Sequence, residues 1–84
     1  MDLGTFKNPI ATICHNEDDY KDSNYRRVHL WVENYRILAQ SEDENEPHSP
    51  ELPNVKTREN ALLTIKSAYQ NTVWDLRFNM EHLF

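Results

Sequence analysis

The chain holds one glycine and one cysteine in 84 residues. Phosphate-cradling loops and dinucleotide fingerprints need several glycines to bring backbone N–H groups onto a ligand, so those chemistries are excluded. A lone Cys14 excludes an intramolecular disulfide framework. No apolar run approaches the ~20 residues of a membrane-spanning helix. The stretch MDLGTFKNPI lacks the basic and apolar regions of a signal peptide. A soluble, cytoplasmic protein with no membrane partner is expected. Basic clusters are also missing: Arg26-Arg27 is the one adjacent pair, too little for direct nucleic-acid binding.

What is present is acid. The net charge is -5, and residues 1–55 carry eleven acids against five bases, whereas residues 56–84 carry three against four. The apolar fraction of 38% lies below the usual ~45–50%. Residues 1–84 read as a single small domain in which burial is limited, so self-association is a natural route to stability.

The strongest regularity lies in Lys56–Phe84. Leu62, Ile65, Tyr69, Val73, Leu76, Met80 and Leu83 recur at intervals of three and four, the spacing of an amphipathic helix. Thr57 stands where an N-cap is needed, with Glu59 in the first turn at the positive end of the helix dipole. Earlier, Asn8-Pro9 resembles a helix start that would place Ile10, Ile13 and Cys14 on one face. The rival reading makes Ile10–Cys14 a strand.

Tyr25–Gln40 also admits two readings. As a helix, Val28, Trp31, Val32, Tyr35, Leu38 and Ala39 share a side. As strands, Val28, Leu30 and Val32 alternate with His29, Trp31 and Glu33 around a Glu33-Asn34 turn. Six concordant apolar positions and the poor turn chemistry of Glu-Asn favour the helix. Ser41–Asn54, with three prolines and five acids, is a linker loop that supports neither helix interior nor buried strand. The expected fold is therefore all-α: a short N-terminal helix, then a helical hairpin ending in a long C-terminal helix. The alternative is α+β, with a β-hairpin packed on that last helix.

Catalytic chemistry finds little support in the spacing. Cys14, His15, His29, His48 and His82 form no metal-ligand motif. No nucleophile–base spacing stands out, Cys14 reads as a small buried hydrophobe, and loop acids make poor general acids at neutral pH. No enzyme activity, cofactor or metal is expected. On the long helix, Leu63, Trp74 and Phe78 form a second apolar flank away from the main stripe. Tryptophan is enriched at binding hot spots, so these three are the candidate partner-binding residues. Lys66 and Arg77, with Arg26, Arg27 and Arg36, offer cations for an anionic ligand between subunits. Glu17, Asp18, Asp19, Asp22, Glu42, Asp43, Glu44 and Glu46 offer an acidic surface that imitates nucleic acid.

The stretch Leu62–Leu76, LLTIKSAYQNTVWDL, resembles the long helix of small phage proteins that sequester cyclic-oligonucleotide signals. Lys66-Ser67, Gln70, Trp74 and Leu76 carry that likeness. It implies an oligomeric sponge for an anionic ligand. The leading expectation remains a small acidic interaction protein that inhibits or adapts a macromolecular partner through helix faces and acidic loops. Its partner is another protein, a second copy of itself, or both.

Overall fold

The computed structural model describes residues 1–14, 27–70 and 75–82. Four antiparallel strands form a sheet: β1 (Ala11–Cys14), β2 (Val28–Glu33), β3 (Arg36–Ser41) and β4 (Asp75–Phe78), in the order β3-β2-β1-β4. One α-helix, α1 (Arg58–Tyr69), covers one face, and a short 3-10 turn, Met80–His82, follows β4. The all-α expectation is overturned; the α+β alternative is closer, although the sheet has four strands where a hairpin was expected.

The middle of the chain is a hairpin because its strands are buried on both sides. Leu30, Val32, Ile37 and Ala39 join the core beneath α1. Trp31 and Leu38, paired across the hairpin, are buried as well. Two-sided burial produces a near-continuous apolar run, and such a run satisfies a helical template by accident.

The turn is one residue later than the strand reading placed it. Asn34 and Tyr35 take φ of 54° and 64°, the left-handed pair of a type I′ turn between Glu33 and Arg36. Asn tolerates this conformation; Tyr does not favour it. Tertiary bonds hold it there. The Asn34 N–H donates to Asp2 Oδ1 at 2.8 Å, the Tyr35 N–H to Met1 O at 3.2 Å, and Tyr35 O accepts from the Val55 N–H at 2.8 Å. Tyr35→Gly should therefore raise stability by roughly 0.5–1 kcal/mol, read as a higher denaturation midpoint with unchanged slope. A lower midpoint would mean that the ring, not the backbone, governs this position.

The helix expected from Asn8-Pro9 is not formed: Ala11–Cys14 is strand β1, and the residues before it join the sheet, among the described residues, through a single β-bridge. Leu3 and Val32 exchange backbone hydrogen bonds, each 2.9 Å. The chain then leaves the sheet through Gly4–Pro9, turning on reciprocal bonds between Thr5 and Asn8. It returns at Ile10, whose N–H donates to Leu30 O at 2.9 Å while Ala11 pairs with the same Leu30. Two residues facing one is a β-bulge. It lets Ile10 and Ala11 both reach the core.

The expected C-terminal rod is broken. Its first half is right: Thr57 Oγ1 accepts from the Asn60 N–H at 3.1 Å, and Ala61 and Ile65 are buried on the sheet. The helix ends at Tyr69 with Gln70 as its cap. Burial holds the Tyr69 phenol above its ordinary pKa by penalising the charged form. β4 then alternates, Leu76 and Phe78 toward the core and Asp75 and Arg77 to the other face. The Val73-to-Leu83 half of the stripe is thus no helix face: Leu76 belongs to a strand and Met80 to the 3-10 turn. Val73 and Leu83 lie outside the described residues.

Candidate binding surfaces

Two recesses stand out among the described residues. The first follows the outer flank of α1. Residues at i, i+1, i+4 and i+5 of a helix make a strip, and here Leu63, Thr64, Ser67 and Ala68 do so. Leu52 and Pro53, from the segment leading into the helix, form the facing wall, and the groove between them holds about 410 Å³. Leu63 is 61% exposed, so its side chain contributes little to the fold. Small residues at three of the four helix positions leave room beside it.

One acid adjoins the Leu52 wall in the chain. Glu51, adjacent to Leu52, adopts φ of 61°, a left-handed conformation that costs a residue other than Gly roughly 1–2 kcal/mol. Among the described residues no hydrogen bond or ion pair reaches the carboxylate of Glu46 or Glu51, and both residues are exposed. Lys66 lies on the opposite flank of α1, roughly 130° around from the strip.

The second surface is the sheet face opposite α1. Phe6 stands edge-on to His29 and Trp31, with ring centroids 5.3 and 6.2 Å apart, and covers one part of that face. Beside it a second hollow of about 260 Å³ is lined by Pro9, Thr12, Arg27, His29, Arg77, Phe78 and Asn79. Cross-strand pairing explains the assembly: Thr12 stands opposite His29 on β2 and opposite Arg77 on β4. Thr12 Oγ1 and His29 Nδ1 are 3.1 Å apart, and His29 Nε2 and Glu42 Oε1 are 3.2 Å apart. Arg27 Nη1 reaches the same Glu42 oxygen at 3.5 Å, and Arg77 Nη2 meets Asp75 Oδ2 at 3.4 Å.

A hydroxyl, an imidazole and a carboxylate in series can pass a proton. An acyl-transfer site also needs donors aimed at the developing oxyanion. Strand N–H groups lie in the plane of the sheet, so they do not point into this hollow. Glu42 instead ties the acidic loop to β2. That loop is further held to β3 by paired bonds between Ala39 and His48 at 2.8 and 2.9 Å, and by the Gln40 amide on Glu44 O at 2.8 Å. The stretch expected to be a linker is, in this part, an edge cover.

The three candidate partner-binding residues separate. Leu63 lines the α1 groove. Phe78 sits on β4, half-buried against the core and lining the second hollow, so it shares no helix flank with Leu63. Trp74 lies outside the described residues, as do His15, Arg26, Glu17, Asp18, Asp19 and Asp22. Of the cations proposed for an anion, Arg27 and Arg77 both line the second hollow, each beside a carboxylate. Lys66 on α1 and Arg36 on β3 do not line it. Leu52, Pro53 and Glu51 were missed as site residues; their proline-rich acidic context read as solvent-exposed linker. Among the described residues no three His, Cys, Asp or Glu side chains converge as metal ligands, and no helix is long and apolar enough to cross a membrane.

Compared with known proteins, the chain matches no family model, no curated protein and no solved structure. The resemblance to the cyclic-oligonucleotide sponges loses its basis, since Leu62–Leu76 is not one helix: α1 stops at Tyr69 and Leu76 is in β4.

Proposed function

We propose that this is a non-enzymatic, cytoplasmic adaptor or inhibitor that binds a segment of another protein in the groove on the outer flank of α1. The observation that carries this reading is Leu63, a large exposed side chain beside a groove walled by Leu52 and Pro53. Binding interfaces concentrate their energy in a few anchors, often aromatic, seated in well-packed recesses, and the space beside Leu63 is such a recess for a partner's anchor. The occupant is a segment with an apolar anchor flanked by Lys or Arg. Glu51, next to Leu52 in the chain, favours that charge, and the net charge of -5 would speed its encounter. Catalysis has weaker support, because the Thr12–His29–Glu42 series lacks backbone donors aimed at its hollow.

A random peptide display library, selected on the whole chain, tests this. Enriched peptides should carry a Leu, Phe or Trp among basic residues. Leu63→Asp should weaken them by about thirtyfold, equivalent to about 2 kcal/mol, while stability shifts by no more than about 0.5 kcal/mol. Peptides held equally well by Leu63→Asp would sink the reading.

A further inference from the structure

The two edges of the sheet are finished differently. On β3, His48 occupies both backbone groups of Ala39, and the Glu44 carboxylate accepts from the Ser41 N–H at 2.9 Å. With Ala39 and Ser41 occupied, Ile37 alone keeps uncovered outward groups among the described residues of β3, too short a stretch to template another strand. On β4, the bond from the Asn79 N–H to Ile10 O, 2.9 Å, sets the phase of the ladder. Asn79, Arg77 and Asp75 aim their backbone groups at β1, and Leu76 and Phe78 aim theirs outward, by the alternation of an antiparallel pair. Among the described residues no hydrogen bond reaches those outward groups.

We propose that β4 pairs antiparallel with β4 of a second copy, around a two-fold axis through Leu76, to make one continuous eight-stranded sheet. The charge pattern Asp75-Leu76-Arg77-Phe78 selects both the occupant and the register. With Leu76 opposite its own counterpart, the two copies exchange a pair of N–H···O=C bonds there. Asp75 of each copy then faces Arg77 of the other, on the sheet face away from α1. Sliding by two residues, the smallest step that keeps outward groups in phase, brings Arg77 against Arg77 or Asp75 against Asp75. Like charges directly opposite are destabilising. The strand is thus complementary to itself in one register and repelled in its neighbours, and an isologous contact of this kind closes at two copies. This contact uses no residue of the α1 groove and stands or falls separately from it.

Sedimentation equilibrium of the whole chain, up to about 1 mM, should show the mass rising from 10.0 kDa toward twice that value. Arg77→Asp and Asp75→Arg should each weaken the dimer by about tenfold. The double variant, with both charges exchanged, should dimerise as the parent does, yet fail to co-assemble with it, because mixed pairs oppose like charges. Leu76→Pro removes an outward N–H at an edge position where proline is tolerated; it should give a monomer with an unchanged circular dichroism spectrum. A parent chain that stays monomeric overturns the proposal. So does a dimer indifferent to the single charge changes, or one that the double exchange does not restore.

Discussion

Trp31→Ala should cost the fold about 3–5 kcal/mol. The indole is 6% exposed and lies on the sheet face that α1 does not cover, packed edge-on against Phe6 and paired across the hairpin with Leu38. No second helix among the described residues closes this face, so the cavity left by truncation would be repaired only by the Gly4–Pro9 loop. A domain of this length has roughly 5–10 kcal/mol in total. The variant should therefore show a denaturation midpoint near half that of the parent, with urea and circular dichroism as the readout. A loss under about 1 kcal/mol would mean that the second face is not a core.

The second large effect falls on the only glycine. Gly4 has φ of +79°, and a Cβ there would stand 2.9 Å from Asn8 O and 3.1 Å from Ile10 Cγ2. Neither neighbour can yield cheaply, because the first is backbone in the Thr5–Asn8 turn and the second is fully buried. Gly4→Ala should destabilise by roughly 2–3 kcal/mol, combining left-handed strain with the clash. It should also displace Phe6, which the same loop carries over His29 and Trp31. Near-parental stability together with unchanged shielding of the Trp31 indole would contradict this reading of the loop.

Legibility in the sequence followed how local the deciding forces were. The start of α1 was readable because a Thr cap three residues before Asn60 acts within one turn. The irregular course of Ser41–Asn54 was readable because prolines act on their own backbone. The break after Tyr69 was not. Leu62, Ile65, Tyr69, Val73 and Leu76 continue a helical spacing without interruption, and only the place offered beside β1 makes Leu76 and Phe78 a strand. The hairpin failed for a related reason. Asn34-Tyr35 is a poor type I′ turn in isolation; Asp2, Met1 and Val55 clamp it from elsewhere in the chain. Of the candidate site, Leu63 was legible as a spare apolar residue on a helix. Its wall was not, because Leu52 and Pro53 sit among acids and prolines that resemble solvent-facing linker until the chain folds them beside α1.

Mapping by nuclear magnetic resonance, with a display-selected basic-apolar peptide titrated into the isotope-labelled chain, is the most direct test of where a partner docks. The largest amide shift changes should cluster at Glu51, Leu52, Leu63, Ser67 and Ala68, and they should vanish in Leu63→Asp. Changes centred on Thr12, His29 and Arg77, or on Leu76 and Phe78 at the β4 edge, would contradict the groove as the binding face.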